Sequence, residues 1–504
     1  MEPARLYELF PSPDWDETDS STPLSLLNET DRSRIKAKRQ AIREHFDAYA
    51  GRRAYWEHNA RAYHEDQTRY IRFLVPEGLR VLEIGSGLGN LLAAVKPSYG
   101  LGIDVSPEMV TAAAQRHPTL DFRVGDVETL DLDETFDVIL LADVIGHVLD
   151  IQTAFRRLRR VCTPQTRVIV SYHNSLWEPL LRLCEKMGFK MPQPEQSWLS
   201  PSDITNLLFL ADFDVVKVDR RVLLPLRVPL LASFCNRVLA HLPGFRTLCL
   251  SHYVVARPRL RRPERPYSTT IVIPCRNERG NIDAALRRIP KFGGRQEIIF
   301  VDGHSSDGTA EEIQRVMAFY PGKHITLLTQ DGRGKGDAVR KGFGQAKGDV
   351  LMILDADLTM PPEALPQFYE AIASGKGEFI NGCRLVYPME AQAMRLLNLF
   401  GNKFFGLAFS WLLNQRIKDT LCGTKVLFRR DYERLAANRR YFGEFDPFGD
   451  FDLLFGASKL NLQIVEVPIR YESRTYGSTN IQRFAHGWLL LKMTVYGFFR
   501  LKAV

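Results

Sequence analysis

Asp349-Val350-Leu351-Met352-Ile353-Leu354-Asp355-Ala356-Asp357 is an apolar run that stops at two carboxylates one residue apart. Such a run predicts a buried strand that presents a divalent-metal site at its carboxyl end. Side chains alternate along an extended chain, so Asp355 and Asp357 share one face and Ala356 points away. Two hard oxygen ligands suit Mg²⁺ or Mn²⁺, ions that commonly share themselves with a diphosphate. Alone, the same three residues are an ordinary strand end and turn, so the reading depends on what surrounds them.

Upstream, Thr269-Thr-Ile-Val-Ile-Pro274 leads into Cys275-Arg-Asn277-Glu278, a strand leaving a core into a polar loop. Gln296–Val301 predicts a second strand ending at Asp302, and Asp307-Gly308 reads as a turn and helix cap. Asp331-Gly-Arg333-Gly-Lys335-Gly336 places two cations on a glycine-rich loop before a helix, which suits a diphosphate. Downstream lie Asn381–Arg384, Asp419–Lys425, Gly449-Asp450-Phe-Asp452 and Arg474–Asn480. In this order, from Thr269 to about Lys502, the blocks resemble family 2 glycosyltransferases of GT-A fold, in particular the branch that makes dolichyl- or polyprenyl-phosphate sugars. The resemblance implies that Pro274, Glu278 and Asp302 hold a nucleotide base and ribose, and that Asp355 and Asp357 hold the metal and sugar diphosphate. It places Lys335 on the diphosphate, and Arg384 and Arg474 on donor diphosphate or acceptor phosphate through paired hydrogen bonds. Asp450 or Asp452 is then the base or donor-orienting acid, with a helix cap as the plain alternative.

The first half of the chain carries a different chemistry. Arg80-Val-Leu-Glu83-Ile84 runs into Gly85-Ser-Gly87-Leu-Gly89-Asn90, where the third glycine comes one residue earlier than a dinucleotide fingerprint requires. That spacing fits an adenosyl ligand without a pyrophosphate. Leu101–Asp104 ends in an acid placed for a ribose diol, Phe122–Val127 contains Asp126, and Phe136–Asp143 runs on to His147. Four βα units in this order, over about Lys36 to Arg257, resemble class I S-adenosylmethionine-dependent methyltransferases. The resemblance implies that Glu83, Gly85, Gly87, Gly89, Asp104, Asp126 and Val127 line the cofactor pocket. His147 is a candidate base for a hydroxyl acceptor, although a lone histidine is more often structural. Tyr172, His173 and Asn174 follow a strand and either face the acceptor or are ordinary loop polarity.

At 504 residues the chain is too long for one ordinary core. The expected fold class is α/β: a Rossmann-like methyltransferase domain (34–256), an Arg/Pro-rich linker (257–268), then a GT-A nucleotide-sugar-binding α/β domain (269–504). Residues 1–33 lack periodicity and are expected to be disordered. A net charge of +8 is too diffuse to imply nucleic acid, and none is expected as a partner. Seven scattered cysteines without a CxxC pair argue against a zinc site or disulfide framework. The acidic N-terminus is unlike a signal peptide, so the cytoplasm is the default. Met394–Leu413 and Trp488–Phe499 are apolar but interrupted by Arg395, Lys403 and Lys492; they are core helices, or helices lying at the inner face of a membrane. The expected partners are a UDP- or GDP-sugar donor and a polyprenyl-phosphate acceptor. Two rivals stand beside the bifunctional reading: a first domain that only binds, and a catalytically dead sugar-nucleotide scaffold.

Overall fold

The computed structural model describes residues 29–228, 230–260, 263–387, 396–441, 450–472, 474, 476 and 483–504. The described residues up to Arg259, together with Lys502–Val504, form one compact unit, and those within Leu260–Leu501 form a second.

The first unit is built on strands β1 (Arg80–Ile84), β2 (Tyr99–Asp104), β3 (Asp121–Val124), β4 (Phe136–Ala142), β5 (Cys162–His173), β6 (Phe213–Arg221) and β7 (Ser251–Pro258). Their order in the sheet is β3-β2-β1-β4-β5-β7-β6. The first five are parallel, whereas β7 runs antiparallel to both β5 and β6. The central strands are apolar on both faces because helices cover both. Val81, Leu82, Ile139, Leu140 and Leu141 are fully buried, each contributing on the order of 1.5–3 kcal/mol over an exposed position. Sheet order reverses between β1 and β4, and ligands bind open α/β sheets in the crevice outside the carboxyl ends at such a switch point.

Three helices precede this sheet: Glu29–Ala50, Arg53–Asn59 and Arg61–Leu74. The first begins at Glu29, inside the stretch expected to be disordered; residues 1–28 lie outside the described residues. At the other end, β7 continues through Arg257 and Pro258, the first two residues assigned to the linker. Arg257 is fully buried with its guanidinium 3.5 Å from Asp214, so its charge is balanced inside the sheet edge rather than by water. Arg261 and Arg262 lie outside the described residues.

The second unit carries β8 (Thr269–Cys275), β9 (Gln296–Asp302), β10 (His324–Thr329), β11 (Val350–Ile353), β12 (Phe379–Cys383), β13 (Lys425–Phe428) and β14 (Ile464–Pro468), in the order β10-β9-β8-β11-β13-β12-β14. β13 is antiparallel to its neighbours β11 and β12, and every other pair is parallel. Here the reversal falls between β8 and β11. Register pairs Ile353 with Val272, which brings Pro274 and the Asp355 turn to the same sheet end. The core joins Ile271, Ile273, Phe300, Met352, Leu354 and Phe368.

Candidate functional sites

In the first unit, Gly85, Gly87 and Gly89 all adopt left-handed backbone, with φ of 70°, 51° and 72°. A side chain on Gly85 would come within 2.5 Å of Val144, and one on Gly89 would collide with the Phe122 ring. The loop therefore needs glycine for conformation and for close approach. Asp104 ends β2 and accepts from the backbone N–H of Gly87 (2.8 Å) and of Ser106 (3.0 Å), tying the acid to the glycine loop. Burial raises the Asp104 pKa, opposed by those two N–H donors. Glu83 is also buried and accepts from Leu92 N (3.1 Å) at the start of helix Asn90–Ala94; burial pushes its carboxyl up to about 8. Asp126 accepts from Glu128 N (2.9 Å) and pairs with Arg39 at 3.4 Å, and Val127 beside it is buried. Arg39 lies on helix Glu29–Ala50, which also sets Asp47 against Ser106 (2.5 Å) and Phe46 edge-on to His147 (5.4 Å). The glycines, Asp104, Asp126 and Val127 thus cluster at the carboxyl ends of β1, β2 and β3, and the donor set suits an adenosine rather than a phosphate. Burial holds His147 down to about 4 against the opposing pull of Gln193, so it is neutral near pH 7.

A second cluster follows β4 and β5. Asp143 sits at φ 57°, an uncommon conformation for a non-glycine residue. Its Oδ2 accepts from Tyr63 OH (2.7 Å) and Gln67 Nε2 (2.8 Å), and His173 Nδ1 lies 3.5 Å from Oδ1. Burial alone would raise the Asp143 carboxyl, but the His173, Tyr63 and Gln67 contacts outweigh it and bring it down to about 2. Sequence reasoning marked the strand end at Asp143 and the position of His173 but not Tyr63 or Gln67. Those two come from helix Arg61–Leu74, and nothing in the local pattern pairs them with β4.

In the second unit, Asp355 and Asp357 lie at the switch point and each meets a cation. Lys335, first residue of helix Lys335–Gln345, is 2.6 Å from Asp355 Oδ1. Arg474 donates to Asp357 Oδ2 (2.7 Å) and lies 3.3 Å from Glu278. Asp357 Oδ1 accepts from Thr359 N (3.2 Å) and Oγ1 (2.8 Å). Gly423 packs so closely on the Asp355–Lys335 pair that any side chain there would collide with both. Glu278 is buried, accepts from Asn281 (2.7 Å), and is raised by burial against the pull of Arg474. Asp302 at the end of β9 accepts from Ser305 N (3.2 Å) and Oγ (2.5 Å), which shapes the loop beside Pro274 and Glu278. Asn277, His304 and Leu358, all in these loops, have positive φ (58°, 57° and 54°), so backbone strain gathers around the same sheet end.

Two expected residues are paired with other side chains. Arg384 is engaged by Asp419, with Nε and Nη2 each 2.7 Å from its carboxylate, and Asp419 is fully buried. Asp452 lies near Arg340 (3.8 Å) and Arg439 (3.5 Å). Asp450 precedes it on helix Asp450–Lys459. The Asp450 side chain lies outside the described residues.

Among the described residues no cluster of three or more His, Cys, Asp or Glu is placed to hold a metal. Two carboxylates fit an Mg²⁺ or Mn²⁺ ion that completes its shell with substrate phosphate and water. Asp355 Oδ2, which makes no hydrogen bond among the described residues, is a donor of the required kind.

Residues 270–435 match the family described as glycosyl transferase family 2, and residues 55–218 match a methyltransferase domain family. The chain carries a methyltransferase domain followed by a family 2 glycosyltransferase domain. A dolichol-phosphate mannosyltransferase of Pyrococcus furiosus is 40% identical over 108 residues, covering 21% of this chain and 30% of that protein. An undecaprenyl-phosphate 4-deoxy-4-formamido-L-arabinose transferase of Aeromonas hydrophila is 36% identical over 110 residues, covering 21% and 34%. The chain thus spans about a third of the length of these curated relatives. Among solved structures, the Synechocystis magnesium protoporphyrin IX methyltransferase with bound SAH is 17% identical, with TM-score 0.31, over 44% of this chain and 99% of that one. Both domains are of transferase families, and no described helix is long and apolar enough to cross a membrane.

Proposed function

We propose that the protein is bifunctional: it transfers a methyl group from S-adenosylmethionine, and it transfers a sugar, with inversion, from a nucleotide sugar to a polyprenyl phosphate. The observation that carries the second activity is the pairing of Asp355 with Lys335 and of Asp357 with Arg474 at the β8/β11 switch point. Carboxylates interleaved with cations are what a metal–diphosphate pair requires. A divalent ion bound there would neutralise the diphosphate and ease its departure. Pro274, Glu278 and Asp302 hold the nucleoside, and Lys335 and Arg474 hold the diphosphate. Asp450 orients the donor or takes the proton when the acceptor bears one; a phosphate acceptor is already anionic and needs little base.

For the methyl donor, Asp104 binds the ribose, Asp126 and Val127 the adenine, and the Gly85–Gly89 loop lets the backbone approach. A lipid acceptor agrees with the exposed Phe404 and Leu407 on helix Leu396–Leu413 and with Trp488, Val495 and Phe499 near the end of the chain. These residues suit peripheral contact at the cytoplasmic face of a membrane. Trp411 stacks on Phe498 at 5.6 Å, so the two segments form one surface.

The test is incubation of the protein with a panel of UDP- and GDP-sugars, polyprenyl phosphate and Mn²⁺, scored for glycolipid by mass spectrometry. Glycolipid that is lost in Asp357→Ala supports the reading. Turnover confined to soluble sugar acceptors removes the lipid.

A further inference from the structure

We infer that His173, which faces Asp143, is the general base of the methyltransferase site and that the methyl acceptor is a hydroxyl group. The inference rests on the methyltransferase reading above and adds the acceptor chemistry. Three observations carry it. First, Asp143 stands beside the cofactor loop, because the next residue, Val144, is the one that a side chain on Gly85 would strike. Second, the two groups face each other from neighbouring parallel strands at the ligand-binding end of the sheet. Asp143 N donates to Ser171 O (3.0 Å), and His173 Nδ1 lies 3.5 Å from Asp143 Oδ1. Third, both are reachable, at 25% exposure for the Asp143 side chain and 17% for His173, while Tyr63 and Gln67, which fix the carboxylate, are buried.

An imidazole whose Nδ1 faces a carboxylate presents Nε2 to a substrate, and His173 Nε2 makes no hydrogen bond among the described residues. The Tyr63 ring, its centroid 5.3 Å from that of the imidazole, limits how the imidazole can turn. His147 has a comparable ring contact, with Phe46, but no carboxylate beside it among the described residues. In the reaction, acceptor oxygen attacks the sulfonium methyl carbon as its proton passes to His173 Nε2. The new C–O bond forms as the C–S bond breaks, and S-adenosylhomocysteine leaves with the sulfur electron pair. An amine free-base acceptor would need no such dyad for the attack itself; a hydroxyl does. Asp143 is a positioning residue, acting through the imidazole.

The experiment uses the full chain, S-adenosylmethionine, and three hydroxyl probes: methyl α-D-mannopyranoside, methyl α-D-glucopyranoside and the glycolipid formed in situ. S-adenosylhomocysteine release and the methylated product are measured by mass spectrometry, and cofactor affinity by calorimetry. The expected result is that His173→Ala loses about 100-fold or more in kcat with cofactor affinity within about threefold, and that added imidazole restores part of the loss. Asp143→Asn, which keeps the shape of the site, is expected to lower kcat by about tenfold or more and leave KM unchanged. Retention of activity in His173→Ala, or transfer to none of the hydroxyl probes by a wild-type protein that binds the cofactor, overturns the inference. Absence of cofactor binding in the wild type overturns the methyltransferase reading instead.

Discussion

Replacing Arg384 with methionine separates phosphate binding from structural support. In the structure Arg384 meets Asp419 through two 2.7 Å hydrogen bonds, and Asp419 has no exposed surface. Burial pushes the Asp419 carboxyl up, but the Arg384 charge and its hydrogen bonds outweigh that and hold it below the usual range. It therefore stays ionised inside the protein. In Arg384→Met the carboxylate keeps the backbone N–H groups of residue 384 (3.0 Å) and Leu421 (3.1 Å) and the charge of the buried Lys425, but loses its hydrogen-bonded charge partner. Removing one member of a buried pair costs about 3–5 kcal/mol, and the surviving N–H bonds place this case near about 3. For a unit of this size that lowers Tm by roughly 6–12 °C. Calorimetry of the full chain reads the shift, with S-adenosylhomocysteine identifying the methyltransferase transition by raising it alone. The double variant Arg384→Met/Asp419→Leu removes both charges but leaves those two N–H groups without their acceptor, so it recovers only part of the loss. A Tm unchanged within about 2 °C, together with a tenfold or greater loss of nucleotide-sugar affinity, would refute the structural assignment and return Arg384 to the ligand.

Other outcomes follow from the same geometry. Arg474→Met leaves Tm nearly unchanged but weakens nucleotide-sugar binding by about 10-fold or more, because it removes a charge-assisted contact worth about 1.5–3 kcal/mol; equilibrium dialysis with labelled donor checks it. Glu83 titrates near 8 when folded, so between the ordinary carboxylate range and pH 8 the folded protein holds a proton that the unfolded chain has released. Stability then falls by up to about 1.4 kcal/mol per pH unit across that window, and Glu83→Gln should flatten the slope; parallel Tm–pH curves for the two proteins would contradict this. Gly85→Ala forces a left-handed alanine against Val144 and should cost at least about 1–2 kcal/mol, with weaker S-adenosylmethionine binding by calorimetry and partial relief in Gly85→Ala/Val144→Ala.

The parts of the protein written in local pattern were legible in the sequence. Apolar runs ending in acids located β2, β9 and β11, apolar runs leading into a glycine-rich or polar loop located β1 and β8, and the Gly85–Gly89 spacing located a turn that needs three left-handed residues. What escaped depends on pairing across long separations. Arg384 finds Asp419 thirty-five positions away, and Arg257 finds Asp214 across β6 and β7. A basic, proline-rich stretch otherwise reads as solvated chain. Asp452 was one of two acids on a short helix, and only packing against Arg340 and Arg439 decides which way it points. Tyr63 and Gln67 reach Asp143 from a helix that local pattern does not connect to β4.

With Lys335 on Asp355 and Arg474 on Asp357, the second site holds its charges already matched. Ligand entry there is an exchange of counter-ions rather than a filling of empty charge. A divalent ion arriving alone must compete with two cations that have no new anion to move to, whereas a diphosphate arriving with it gives both a destination. Metal and donor should therefore each tighten the other's binding, by the same factor in either order. On the proposed metal-dependent transfer, the affinity for the ion measured alone would then understate its affinity in the presence of the donor.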